Sequence, residues 1–150
     1  MGGRKFLLVD DDSDVVTLAA QILGDAGYSV LSTSDPDEAI RLLSDRRVRI
    51  DLLITDVFMP GMTGPDLART GFRNRAELRV LFMSGDTKAR STVRKGDPYL
   101  AKPLASAELV RDVNTTLIAR DPADAEPYKG TDRRRAPERR KGAAGGKGRP

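Results

Sequence analysis

Up to about residue 120, short runs made only of apolar residues alternate with longer stretches whose apolar residues recur at helical spacing. The run Phe6-Leu7-Leu8-Val9 carries no polar residue, which suits a strand covered on both faces. Val15, Leu18, Ala19, Ile22 and Ala26 then mark a helix, with Asp12 or Ser13 placed to cap its start and Gly27 placed just past its end. A second strand is expected over 28–32. Pro36 begins a second helix with Ala39, Leu42 and Leu43 on its apolar face. Leu52-Leu53-Ile54 gives strand three, and residues 59–64 read as a loop before a third helix that Pro65 opens and that ends near Gly71. Residues 80–83 form strand four and residues 99–101 strand five. A closing helix capped by Ser106 carries Leu109, Val113 and Leu117. Residues 88–95 offer only Ala89 and Val93 as an apolar face, so a fourth helix there should be short or irregular.

Such alternation argues for an α/β domain with a doubly wound, five-stranded parallel sheet and helices on both faces. The charge is divided along the chain. Residues 1–120 hold 17 Lys/Arg against 17 Asp/Glu and residues 121–150 hold 9 against 5, so the formal net charge of +4 lies in the last stretch. Residues 121–150 contain one large apolar residue, Tyr128, and are expected to be a disordered basic tail after a domain of residues 1–120. A coil of that length has an end-to-end distance of roughly 30 Å, enough to reach back over its own domain.

Cysteine and histidine are both absent, which excludes disulfides, thiolate or imidazole metal sites, Ser/His and Cys/His catalysis, and a histidine phosphoacceptor within the chain. No apolar run approaches the ~20 residues of a membrane span, so a cytoplasmic location without membrane contact is expected.

In an open α/β sheet, ligands bind beyond the carboxyl ends of the strands. Strand one ends in Asp10-Asp11, strand three in Asp56 and strand four in Ser84, while Lys102-Pro103 follows strand five. Each has an ordinary reading alone: Asp10 to Asp12 suit a helix cap, Asp56 a turn, and Tyr99 a half-buried strand position. Together they land on one rim. Three carboxylates there repel one another unless a cation or proton intervenes, and an all-oxygen ligand set favours magnesium. With Lys102 as a second cation and Ser84 as a hydroxyl, the rim suits a phosphoryl group carried on a carboxylate.

The pattern Asp10-Asp11, Asp56 followed by Met59-Pro60 and Met62-x-Gly64, Ser84-Gly85, and Tyr99 three residues before Lys102-Pro103 resembles the receiver domain of two-component response regulators. It covers residues 5 to about 119. The resemblance implies a flavodoxin-like sheet of order 2-1-3-4-5 and a phosphoprotein that carries an aspartyl phosphate. Asp56 matches the phosphoacceptor. Asp11 matches the acid that binds Mg2+ directly, Asp10 its neighbour acting through metal-bound water, and the backbone carbonyl of Phe58 a further ligand. Lys102 matches the lysine that contacts the phosphoryl group, with a cis bond to Pro103. Ser84 and Tyr99 match the switch pair that repacks the face formed by helix four, strand five and helix five (α4-β5-α5). Phe58 and Asp86 stand where the family tunes dephosphorylation, with the sign left open.

The function implied is that of a single-domain response regulator in bacterial signalling. It takes a phosphoryl group from a histidine kinase or histidine phosphotransfer protein and signals to a downstream protein or passes the group onward. It is not an enzyme beyond its own phosphorylation and dephosphorylation. One alternative is an aspartate-nucleophile phosphatase of haloacid-dehalogenase type, which wants a second Asp where Phe58 stands. Another is receiver-gated nucleic-acid binding through Arg133-Arg134-Arg135 and Arg139-Arg140-Lys141, for which no interleaved aromatics speak.

Overall fold

The computed structural model describes residues 4–93 and 97–118. In chain order the elements are β1 (Lys5–Val9), α1 (Ser13–Asp25), β2 (Ser29–Thr33), α2 (Pro36–Ser44), β3 (Leu52–Asp56), the two-residue strands β4 (Phe58–Met59) and β5 (Met62–Thr63), α3 (Gly64–Asn74), β6 (Arg79–Ser84), a 3-10 turn (Thr87–Ser91), β7 (Tyr99–Ala101) and α4 (Ser106–Ile118). Five strands pair in parallel in the order β2-β1-β3-β6-β7. With the small β4-β5 pair set aside, this is the expected order 2-1-3-4-5. The expected basic tail lies outside the described residues.

Strand alternation sends side chains to two cores. Phe6, Leu8, Leu52, Ile54, Leu81 and Met83 face α1 and α4, while Leu7, Val9, Leu53, Val80 and Phe82 face α2 and α3. All five residues of β3 are buried, as expected of a central parallel strand. Each fully buried Leu, Ile or Phe contributes about 1.5–3 kcal/mol of transfer free energy, so the middle of the sheet is its most strongly fixed part. Strand ends are placed by that middle.

Caps set where the helices begin. Asp12 and Asp35 accept from the backbone N–H two residues on, and Gly27, at φ +99, supplies the left-handed residue after α1. Thr63 and Asp66 form a reciprocal capping box at the start of α3.

Several local expectations need correction. In α1 the buried residues are Val16, Ala19 and Leu23, whereas Leu18 is 49% exposed. Of the expected face, Ala19 is buried and Val15 and Ile22 pack against the same core, whereas Leu18 and Ala26 turn outward and Val16 and Leu23 take the buried places. Residues 59–64 are not an open loop, because Phe58 pairs with Thr63 and Met59 with Met62 in an antiparallel turn around Gly61. Helix α3 starts at Gly64 and runs past Gly71 to Asn74. Gly71 does not stop the helix but lets it lie against Leu78 and Leu43, since a Cβ there would come within 2.5 Å of Leu78 Cδ2. Ser106 is the first residue within α4, not the residue before it. The second strand covers Ser29–Thr33, one residue later than expected. The weak fourth helix is a single 3-10 turn, with Ala89 and Val93 buried as its two apolar anchors.

Gly64 is where the α3 start passes closest to β3. A Cβ on it would lie 2.5 Å from the carbonyl oxygen of Asp56 and 3.2 Å from Val57 Cα, both backbone atoms that cannot rotate away. Gly64→Ala is therefore expected to cost roughly 1–3 kcal/mol through overpacking, outweighing any gain in helix propensity. Urea unfolding of the variant beside the wild type measures this, and an unchanged midpoint would show that α3 can shift without strain.

Candidate functional site

Parallel strands all point their carboxyl ends to one edge, and the polar residues identified from sequence are collected there. Asp10 follows β1, Asp56 ends β3, Ser84 ends β6 and Lys102 follows β7. Carboxylate oxygens of Asp10, Asp11 and Asp56 lie within 4.8 Å of one another, with Asp10 and Asp56 buried and Asp11 exposed. Lys102 Nζ lies 2.6 Å from Asp10 Oδ2 and 3.6 Å from Asp56 Oδ2.

Backbone contacts fix these positions. Asp10 Oδ1 accepts from Asp12 N–H at 2.9 Å, which turns the chain into α1 and leaves Oδ2 facing the cleft. Val57 N–H donates to Met83 O at 3.0 Å and Gly64 N–H to Val57 O at 2.7 Å, tying the end of β3 to both β6 and α3. Lys102 N–H donates to Ser84 O at 3.0 Å, and the Lys102–Pro103 bond is cis as expected. Thr55 and Gly64 support the site from behind Asp56. Thr55 Oγ1, wholly buried, donates to Asp56 O, and Gly64 makes room for that same carbonyl. The motif Met62-x-Gly64 held the signal for Gly64, but only three-dimensional packing reveals its steric reason.

Burial raises the Asp56 carboxyl, the charge of Asp10 raises it further, and Lys102 pulls the other way without prevailing. The result is a pKa pushed up to about 6. Burial works against the Lys102 ammonium, yet Asp10 and then Asp56 more than offset it and hold its pKa above the usual lysine value. Asp10 Oδ2 has this cation beside it but no directed hydrogen bond, although it is buried. A buried carboxylate oxygen left in that state, among two further carboxylates, fits a hard divalent cation.

Ser84, buried, accepts from Asp86 N–H at its Oγ. Asp86 is exposed and caps the 3-10 turn by accepting from Lys88 N–H. Tyr99 is half-buried against the core on the α2 and α3 side, and its O–H donates to the Asp86 carbonyl at 3.5 Å. The two switch candidates thus meet through Asp86. Phe58 is 40% exposed, two residues beyond Asp56.

The sequence matches the response regulator receiver domain over residues 6–114. It is 30% identical over 115 residues to the response regulator SaeR of Staphylococcus aureus strain USA300, an overlap of 74% of this chain and 49% of that protein. The chain spans about half the length of the curated relatives it matches. Among solved structures, a response regulator receiver protein from Sinorhizobium medicae superposes with a TM-score of 0.70 at 28% identity, covering 79% of this chain and 98% of that one. The receiver domain of the hybrid histidine kinase CckA gives 0.65 at 34% identity, covering 75% and 98%. The chain belongs to the response regulator receiver family, a family of signalling domains, and the phosphatase alternative gives way to it. No helix among the described residues is long and apolar enough to cross a membrane.

A carboxyl whose pKa is raised on folding binds its proton more tightly in the native state than in the unfolded chain. Its cost to stability is absent below about pH 4, develops between pH 4 and 6, and is complete above pH 6. Asp56→Asn should accordingly stabilise the metal-free protein at pH 7 by roughly 1–3 kcal/mol and leave it unchanged near pH 4. Chemical unfolding at the two pH values measures this, and equal stability of variant and wild type at pH 7 would contradict the cost of burying the Asp56 charge beside Asp10.

Proposed function

We propose that Asp56 accepts a phosphoryl group from a phosphohistidine on another protein, a histidine kinase or histidine phosphotransfer protein. One observation carries this reading most directly: three carboxylates gathered within 4.8 Å at the strand ends, with the Lys102 ammonium beside two of them. Asp56, the deepest carboxylate on the central strand, attacks phosphorus in line. The P–N bond breaks, imidazole leaves with its electron pair, and a carboxyl–phosphate anhydride remains on Asp56.

The attacking group must be ionised. With a pKa of about 6, Asp56 is mostly so at neutral pH and loses competence as pH falls below 6. Asp10, Asp11, Asp56 and the carbonyl of Phe58 are the groups that would hold Mg2+. When bound there, the ion supplies positive charge against which carboxylates and phosphoryl oxygens can lie together. Lys102, whose ammonium lies 3.6 Å from Asp56 Oδ2, would contact the transferred phosphoryl group and offset its charge.

Ser84 and Tyr99 form the switch. Ser84 Oγ turns from Asp86 N–H toward the new phosphoryl oxygen, which loosens the Asp86 turn and the carbonyl that holds the Tyr99 hydroxyl. The 3-10 turn, β7 and α4 then carry the change to a downstream protein, or the group passes to a second histidine. Phe58 and Asp86 tune the lifetime of the phosphoryl group. We further propose that residues 1–120 act as a cytoplasmic receiver unit with residues 121–150 as a basic extension.

Intact-protein mass after incubation with a small acyl phosphate and Mg2+ tests the reading. The wild type should gain a single phosphoryl adduct, lost in Asp56→Asn and after chelation, whereas an adduct surviving in Asp56→Asn would place the chemistry elsewhere. Ser84→Ala should still accept the group while losing the change in hydrogen-exchange protection around Tyr99. A full exchange response in that variant would remove Ser84 from the switch.

A further inference from the structure

The edge of the sheet where the strands begin lies opposite the acidic rim and holds a cleft of about 800 Å³. It is formed by the entry to β1, the α2–β3 and α3–β6 connections, and Leu117 near the end of α4. Arg4, Arg46, Arg47, Arg49, Arg75 and Arg79 line it, against two carboxylates, Asp51 and Glu77. The wall is built rather than loose. The Arg75 guanidinium donates to the carbonyls of Leu42, Leu43, Asp45 and Val48, which holds the whole α2–β3 connection in shape. In this same wall arginines already grip carboxylates. Arg47 engages Asp45 through Nε and Nη2 at 2.9 and 3.0 Å, and Arg49 Nε lies 3.2 Å from Asp51. Six arginines against Asp45, Asp51 and Glu77 leave this concave surface with a net positive charge, which suits further carboxylates that a planar guanidinium can hold two oxygens at a time.

We propose that this cleft is a docking site for carboxylate side chains and that its occupant is the acidic stretch Asp121, Asp124 and Glu126 of the same chain. Leu117 lines the cleft, so the residues that follow it in sequence are tethered beside the site. Residues 121–126 follow within roughly 10–28 Å of extended chain, a span that places all three carboxylates in reach. They are the first acids beyond α4, and the strongly basic part of the chain begins only at Lys129. Tethering supplies an effective concentration in the millimolar range, so three exposed ion pairs of up to about 1 kcal/mol each form the contact in a minority of molecules at any moment, a population that further pairs or low salt would raise. Docking would neutralise the arginine surplus and direct Arg133 to Lys141 away from the acidic rim.

The chain has no cysteine, which makes a direct test simple. Ala76 is exposed in the lining, and Ala125 stands between two of the acids. The full chain carrying Ala76→Cys and Ala125→Cys is equilibrated in a glutathione redox buffer, and the fraction holding the internal disulfide is measured at low salt. Adding Asp121→Asn, Asp124→Asn and Glu126→Gln should reduce the disulfide equilibrium constant roughly fivefold, as expected for the loss of two or three exposed ion pairs. Arg4→Glu with Arg46→Glu should do the same, and salt near ~1 M should abolish the difference between backgrounds. A yield that is flat across all of these backgrounds overturns the proposal. If yields are flat and a labelled oligoglutamate peptide nevertheless binds the full chain, the cleft belongs to an acidic segment of a partner and self-docking fails.

Discussion

Carboxylates of Asp10, Asp11 and Asp56 share one strand-end rim, and their mutual repulsion sets terms that the surrounding structure must meet. Lys102 meets part of them by standing against Asp10 and Asp56 at once. A proton meets another part, since the raised pKa of Asp56 lets it take one up near pH 6. Neither removes the surplus negative charge at neutral pH. The site is thus held in a state that gains from any added positive charge, and the gain is fully realised only while the three acids cannot move apart.

That immobility comes from the sheet. Asp56 is carried on β3, buried along its whole length and paired on both sides, and its backbone is clamped again by Val57 to Met83 and Gly64 to Val57. The capping box of Thr63 and Asp66 fixes the direction of α3 where it crosses the end of β3. The described segment after Ser84 is a 3-10 turn with Ala89 and Val93 buried, and the Tyr99 hydroxyl donates to the Asp86 carbonyl at 3.5 Å. Under the proposed switch, the firmly placed acids would act on the shorter 3-10 segment beside Ser84.

Much of this was legible in the sequence because parallel strands are written as unbroken apolar runs and their carboxyl ends share one edge. Asp10, Asp56, Ser84 and Lys102 could be assigned to that edge from their positions after the runs, and Ala89 and Val93 already marked the short fourth helical turn. Packing decided the rest. The burial of Val16 and Leu23 in place of Leu18 depends on how α1 is turned against the sheet, and all three residues are apolar. Gly71 carries the composition of a helix stop but the role of a close contact, and Met59-Pro60-Gly61-Met62 carries the composition of a loop but pairs as a turn. The Arg75 clamp joins residues about thirty positions apart and leaves no periodic trace.

Calorimetric titration of Mg2+ into the full chain, at pH 7.5 and pH 5, with Asp11→Ala beside the wild type, tests most directly whether convergent negative charge defines this site. Affinity should fall by roughly tenfold per pH unit below pH 6 as Asp56 takes up its proton, and Asp11→Ala should weaken binding at both pH values. Binding that is indifferent to both pH and Asp11 would contradict a site built on these three carboxylates.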